Sequence, residues 1–267
     1  MEVKIIPTGG LCNRLRAIAT GLAVAKSYHC PSIIYWNNSL GLKANFNELF
    51  KPISQQDVKL IENQKWLYQI NGNQDYLLRW PILKVLFEQT VFNFSIYRDG
   101  EVYSILKKNY AHSLLLISCY PMCKNYDIQG MFIPQDDIQQ RIDKVVSRFS
   151  ARTIGVHIRR TDNKVSIQAS PLENFTQMMD KEIDEDASTK FYVASDDDRV
   201  KETLKSKYPT RIITLMDDTD RNSLEGMKFA VLDLFCLSKT QKIIGSVGSS
   251  YSQIAAEIGG INVEYAK

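Results

Sequence analysis

The chain has 267 residues, 44% hydrophobic and 24% charged, the balance of a globular protein long enough for one large domain or two modest ones, each with its own core. Its 33 basic and 30 acidic residues leave a net charge of +3, too small and too scattered to argue for nucleic acid or a membrane surface. No run approaches the roughly 20 apolar residues of a membrane helix, so no transmembrane segment is expected. The start, Met1-Glu2-Val3-Lys4-Ile5-Ile6-Pro7, lacks the layout of a secretion signal, and the expectation is a cytoplasmic protein. Cys12, Cys30, Cys119, Cys123 and Cys236 are odd in number and irregularly spaced, which fits reduced thiols. Cys119 and Cys123 have no second pair of suitable ligands near them in sequence, so no metal is expected there.

Helical and strand patterns alternate, which makes the class α/β. The first strand is expected over residues 3–7, followed by a Thr8-Gly9-Gly10 turn and a helix over 11–28 with small and apolar residues at helical spacing. A second strand is expected at 32–35 and another at 114–118. Residues 45–125, rich in aromatic residues, carry no clear periodicity; Trp66, Trp80 and the tyrosines there are candidates for stacking on sugar rings. An amphipathic helix over 134–149 is expected to bridge two halves. Beyond it the rhythm becomes regular, with strands expected at 153–158, 191–194, 211–215 and 242–245 and helices at 171–183, 197–207, 223–237 and 250–258. This second half reads as a Rossmann-type nucleotide-binding sheet, and no internal repeat is visible.

The most informative stretch is Gly155-Val156-His157-Ile158-Arg159-Arg160-Thr161-Asp162-Asn163, a buried strand ending in an imidazole, two guanidiniums and a carboxylate. Adjacent arginines on an extended backbone point to opposite faces. Burying such a strand end is costly unless an anion awaits it, and the end of a parallel strand is where open α/β sheets bind ligands. A diphosphate suits paired guanidiniums, which bind phosphate oxygens bidentately; a structural ion-pair cluster is the alternative.

Three further constellations accompany it. Gly9-Gly10-Leu11-Cys12-Asn13-Arg14-Leu15 is a glycine turn between strand and helix, open to an anion but matching neither the P-loop nor the dinucleotide fingerprint; a tight turn explains it equally. Phe191-Tyr192-Val193-Ala194-Ser195-Asp196-Asp197-Asp198 runs a strand into three carboxylates. Capping with nucleotide contact is favoured there over metal binding by Asp196 and Asp198, because helix starts so often carry acids. Asp233 sits in an otherwise apolar helical stretch, and either a guanine edge or an exposed polar face accounts for it. Gly248-Ser249-Ser250, after a strand and opening a helix, forms an amide-and-hydroxyl nest suited to phosphate.

Taken in order, these segments resemble the fucosyltransferase superfamily that includes core alpha-1,6-fucosyltransferases, nodulation fucosyltransferases and protein O-fucosyltransferases. His157-Ile158-Arg159-Arg160-Thr161-Asp162 matches its H-x-R-R-x-D signature, the strand into Asp196 and Asp197 is similar to its second motif, and Asp233 with Ser249 and Ser250 to its third. The turn from Gly9 to Leu15 resembles the opening of its N-terminal domain. The resemblance implies a GT-B fold, two Rossmann-like domains facing across a cleft, with an acceptor-side domain over 1–150 and a nucleotide-sugar-binding domain over 151–267.

It further implies an inverting, metal-independent glycosyltransferase that moves fucose from GDP-fucose to a glycan or polysaccharide-precursor acceptor, without a cofactor. By position, Arg159 would hold the β-phosphate, Arg160 and Asp162 would build and brace that pocket, and His157 and Asp233 would contact guanine. Asp196 and Asp197 would shape the floor, Ser249 or Ser250 would bond phosphate, and Gly10, Asn13 and Arg14 would close the site from the other domain. The family's signature continues with a lysine and then a glutamate proposed as general base; here Asn163 and, near the glutamate position, Ile167 stand instead. Asp162 and Glu173 are the nearest other acids. The gap leaves two alternatives open: a transferase for another nucleotide sugar, and a non-catalytic nucleotide- or glycan-binding module.

Overall fold

The computed structural model describes residues 2–55, 57–63, 66–71, 73–93, 102, 113–161 and 164–267. They form two units, Met1–Gln135 with Arg221–Leu224, and Asp136–Asp220 with Glu225–Lys267. The division falls ahead of the boundary expected at 150. The amphipathic helix before that boundary, expected to bridge the halves, lies in the second unit and buries Ile138, Ile142 and Val145. The return of 221–224 to the first unit is anchored by the Lys43 N–H on the Arg221 carbonyl at 3.1 Å and the Gly41 N–H on Asn222 Oδ1 at 2.9 Å.

The first unit carries strands β1 (Glu2–Pro7), β2 (Ser32–Trp36), β3 (Val58–Glu62), β4 (Gln89–Phe92) and β5 (Ser113–Ser118), all parallel, in the order β3-β2-β1-β5-β4. Helix α1 (Leu11–Ser27) covers the face of Ile5, whose side chain lies where a Cβ on Gly21 would sit, 2.8 Å away. Glycine there lets helix and strand approach closely. The short helix α2 (Phe46–Leu49) follows β2, and its Phe46 packs edge-on to the buried Trp36 at 5.4 Å. Helix α3 (Asn73–Leu86) packs the opposite face through Leu83, against Ile6, Leu115 and Ile117. It carries Pro81 in its interior, which hides its helical period in the sequence. The aromatic residues of this region stack largely on one another, Tyr35 on Tyr68 at 4.2 Å and Tyr76 on Phe92 at 3.9 Å. Trp66 is half exposed under the Arg79 guanidinium, and Trp80 lies 5.3 Å from Tyr76.

The second unit carries β6 (Thr153–Ile158), β7 (Lys190–Ser195), β8 (Ile212–Thr214), β9 (Ile243–Gly245) and β10 (Val263–Tyr265), again all parallel. Their order, β10-β9-β6-β7-β8, starts at β6, runs outward to β8, then returns to the other side of β6. That is the order of a doubly wound Rossmann sheet, with its switch point between β6 and β9. The helices are α4 (Asp136–Val146), α5 (Lys164–Ala169), α6 (Leu172–Glu185), α7 (Asp198–Lys207), α8 (Leu224–Ser238) and α9 (Ser250–Gly259).

Alternation sorts the faces. Ile154, Val156, Ile158, Phe191 and Val193 meet Phe175 and Met179 of α6 and Val200 and Leu204 of α7. Each fully buried side chain of this kind contributes about 1.5–3 kcal/mol. The other face of the same strands carries Gly155, His157 and Tyr192 and meets α8 and α9. Gly155 is required there, since an added Cβ would lie 2.8 Å from Thr240 Oγ1 and 3.0 Å from a Leu237 methyl. The expected elements of this half are present within two residues at their ends. The short β10, at one edge of the sheet, has no periodicity to betray it. Among the described residues no helix is long and apolar enough to cross a membrane.

Candidate functional site

Strand β6 is buried along its whole length and delivers two arginines at its carboxyl end. The chain turns there because Asp196, just past β7, holds it: Asp196 Oδ1 accepts the Arg160 N–H at 2.7 Å, and Oδ2 accepts the Thr161 hydroxyl at 2.6 Å. Ser195 Oγ adds a bond to the Ile158 carbonyl at 2.8 Å. The same Asp196 Oδ2 lies 3.7 Å from Arg159 Nε, so one carboxylate shapes the turn and orients the guanidinium.

The two arginines then diverge, as neighbours on extended backbone must. Arg160 folds back, with Nη1 donating to the Arg159 and Ser170 carbonyls, each at 3.0 Å, and its guanidinium 5.8 Å from the centre of the Phe175 ring. Burial lowers its pKa, opposed by Asp196, Glu173 and Asp197. Arg160 therefore braces the turn after β6 against the Ser170 segment. Asp162, the third predicted catalytic residue, lies outside the described residues.

Across the switch point, the loop after β9 is tied to the same turn. Ser246 Oγ accepts the Arg159 N–H at 3.0 Å and donates to the His157 carbonyl at 3.2 Å, and Ser170 Oγ accepts the Val247 N–H at 2.9 Å. Gly248 takes φ +71°, a left-handed conformation that favours glycine. Ser249 is the N-cap of α9, and its side chain makes no capping hydrogen bond. The helix start thus presents backbone N–H groups and the dipole's positive end at the same end of the sheet as Arg159, features that suit an anion. Sequence reasoning missed Ser170 and Ser246, which link these two turns; only the parallel pairing of β6 with β9 brings them together.

His157 faces α9, its Nδ1 2.8 Å from Ser252 Oγ and its ring stacked on Tyr251 at 4.7 Å. Burial, reinforced by the Arg159 charge, lowers its pKa to about 3, so the imidazole is neutral. Asp197 caps α7 by accepting the Arg199 N–H at 2.9 Å, and Asp198 pairs with Lys201 Nζ at 3.0 Å. Asp196 and Asp198 thus have different partners, and the cap is Asp197.

Asp233 is buried rather than exposed on a polar face, and it accepts the Tyr192 hydroxyl. Desolvation raises its pKa to about 7, against the Tyr192 hydrogen bond and the charge of Lys201. His157, Arg159, Arg160, Asp196, Ser249 and Ser250 are therefore gathered at the carboxyl ends of β6, β7 and β9, with Asp197 opening the next helix and Asp233 lying beneath, against β7.

Gly10, Asn13 and Arg14 belong to the first unit. Gly9 takes φ +80° and Gly10 caps α1. Arg14, expected to reach a ligand, is turned inward at 1% exposure: Nε donates to the Gly9 carbonyl at 2.8 Å, Nη2 to Ser39 Oγ at 2.6 Å, and Nη1 to the Asn37 carbonyl. Burial lowers its pKa to about 10. Asn13 Oδ1 accepts from Arg16 Nη2 at 3.0 Å, and the same nitrogen reaches the Cys119 carbonyl at 3.0 Å. Arg16, three residues along the helix from Asn13, ties the first turn of α1 to the end of β5 and was not singled out from the sequence.

No family model matches the chain. Solved structures do resemble it in fold. NodZ alpha-1,6-fucosyltransferase soaked with GDP-fucose aligns over 96% of this chain and 92% of its own with a TM-score of 0.68 at 18% identity. Fucosyltransferase NodZ from Bradyrhizobium gives 0.66 at 17% identity over 95% and 91%. POFUT1 in complex with GDP-fucose gives 0.56 at 14% identity over 99% and 97%. The resemblance read from the motifs therefore holds for the fold along nearly the whole chain.

Proposed function

We propose that the chain is a fucosyltransferase that takes GDP-fucose as donor and a glycan or polysaccharide precursor as acceptor, by an inverting, metal-independent route. The observation that carries this reading is the switch point between β6 and β9, where Arg159, oriented by Asp196, follows β6 with its main-chain N–H on Ser246 Oγ, and the Gly248-Ser249-Ser250 helix start follows β9. A diphosphate ligand there agrees with the GDP-fucose named for two of the structural neighbours, NodZ soaked with it and POFUT1 in complex with it. The reading includes the GT-B arrangement of two domains across a cleft, the second unit on the donor side and the first, with Gly10 and Asn13, on the acceptor side.

The acceptor hydroxyl oxygen forms a bond to C1 of the sugar as the C1–O bond to the diphosphate breaks. GDP departs with the electron pair, and the hydroxyl proton passes to water or a carboxylate. Negative charge grows on the diphosphate in the transition state, and a preorganised Arg159 stabilises it more there than in the ground state. Arg160 and Asp196 hold that geometry; Asp162 is proposed to brace the same pocket. Ser249 and Ser250 are proposed to bond phosphate, and His157 with Asp233 to read the base. Neutral His157 can share a hydrogen bond without adding charge.

A second reading, a non-catalytic binding module, is favoured by Ile167, which lies on α5 near the position where the family carries its proposed base. Incubation of the protein with labelled GDP-fucose, chelator and a panel of glycan acceptors separates the two. Acceptor-dependent GDP release, with product of inverted anomeric configuration, supports the transferase. Donor binding without turnover on any acceptor supports the module.

A further inference from the structure

The Tyr192–Asp233 pair lies on the α8 face of the sheet, and the signature residues do not account for it. Tyr192 is fully buried and Asp233 is 6% exposed. Burial, together with the Asp233 charge, raises the Tyr192 pKa well above the usual value, so its hydroxyl stays a donor. It donates to Asp233 Oδ1. The other carboxylate oxygen has no hydrogen-bond partner among the described residues. That oxygen lies in a nearly closed setting with a small opening, where a ligand's N–H could supply the donor it lacks.

The surroundings point toward the donor site. Tyr251, whose ring stacks on His157, donates its hydroxyl to the Ala230 carbonyl at 2.5 Å. Ala230 and Asp233 are three residues apart on α8 and share a face. Tyr251 thus spans from His157, at the carboxyl end of β6, to the helix face that bears Asp233. Guanine presents an N1–H and an exocyclic amine side by side, two donors matched to one carboxylate. Adenine presents no such pair on that edge.

Resting on the GDP-sugar reading above, we propose that Tyr192 is a positioning residue for base recognition. Its hydroxyl takes one lone pair of Asp233 Oδ1 and fixes the carboxylate, leaving Oδ2 and the remaining lone pair of Oδ1 to accept guanine's two donors, and recognition holds only while Asp233 is ionised. The groups that act on Asp233 are Tyr192 of β7, Lys201 of α7, Arg141 of α4 and Asp217 beyond β8; Cys236, on its own helix, is acted on in turn by Asp233 and Tyr192. Lys201 and Arg141 favour the ionised form, whereas Asp217 and desolvation oppose it. The balance puts the change of charge near neutrality, within reach of a pH series.

The test is calorimetric titration of GDP and of ADP, the same diphosphate on another base, into the full chain and its Tyr192→Phe variant at pH 6, 7 and 8. Wild type is expected to prefer GDP at pH 8 and to lose several-fold of that preference by pH 6. In Tyr192→Phe the GDP-to-ADP ratio at pH 8 should fall about tenfold, the scale of one hydrogen bond to a charged group. Affinity for ADP should hold, and the pH midpoint of the preference should move upward.

A variant that keeps both the ratio and the midpoint overturns the proposal and leaves the GDP-sugar reading standing. A wild-type preference that is flat from pH 6 to 8 does the same, and this arm decides even if the variant fails to fold. Wild type that binds GDP no better than ADP removes guanine recognition altogether, and the proposal with it.

Discussion

Asp196 accepts the main-chain N–H of Arg160 at 2.7 Å, so the acid at the end of β7 fixes the backbone of the turn that follows β6. The same carboxylate lies 3.7 Å from Arg159 Nε, which couples turn geometry to guanidinium orientation. Replacing Asp196 with Ala removes the acceptor for two N–H groups and the Thr161 hydroxyl and lets Arg159 wander. We expect a loss of roughly 1–3 kcal/mol in stability and about tenfold or more in GDP affinity, from urea denaturation and calorimetry. Asp196→Asn, which keeps one acceptor oxygen, should recover part of the stability and less of the affinity.

His157 and Asp233 impose opposite pH slopes on stability. His157 has a folded pKa of about 3 against 6.5 for the free group, so the unfolded chain binds the extra proton in that window. Its contribution is complete above pH 6.5 and is lost as pH falls toward 3. Asp233 has a folded pKa of about 7 against 3.8, so the folded chain binds the extra proton there, and its contribution is lost as pH rises through 7. Between pH 4 and 6.5 the two slopes offset each other. Asp233→Asn should expose the His157 slope, up to about 1.4 kcal/mol per pH unit. Denaturation of wild type and variant at pH 4.5, 5.5 and 6.5 reads it directly.

Gly245 leaves room for Ser252, whose Oγ and Cβ would both lie 2.6 Å from an added Cβ. Gly245→Ala must displace Ser252, the partner of His157. Overpacking of this kind typically costs about 1–3 kcal/mol. The variant should melt earlier and bind GDP more weakly than its loss of stability alone explains, since His157 loses its orienting hydroxyl.

Arg14 behaves as a structural brace of the first unit. Its guanidinium serves three acceptors at once and lies 5.1 Å from the Trp36 ring. A lysine ammonium cannot reproduce that fork. Arg14→Lys should lower stability by roughly 2 kcal/mol or more and leave GDP affinity of the folded fraction close to wild type. Thermal melting and calorimetry on one preparation check both.

The second half of the chain was legible because its apolar strands end abruptly in polar residues. Val156 and Ile158 are buried, and Arg159 is the first residue past the strand, so the switch-point end declared itself. Acids at the start of α7 were legible for the same local reason, but the cap is Asp197, not Ser195 or Asp196. What stayed hidden depends on distant partners. Arg14 reads as a polar residue in a first helical turn, but its acceptors at Asn37 and Ser39 lie 23 and 25 residues away. Asp233 finds Tyr192 41 residues back, a pairing that only the strand order supplies. In the first half, Pro81 masks α3, and β4 is a four-residue strand whose Phe92 stacks on Tyr76 of that helix, too short to show a period.

A metal-free diphosphate clamp is proposed at the β6–β9 switch point, and calorimetric titration of GDP and GDP-fucose with chelator present is its decisive test. Wild type should bind both, and Arg159→Ala, equally well folded by thermal melting, should lose most of that affinity. Folded wild type that binds neither ligand would rule out the clamp and return Arg159 and Asp196 to a structural ion pair.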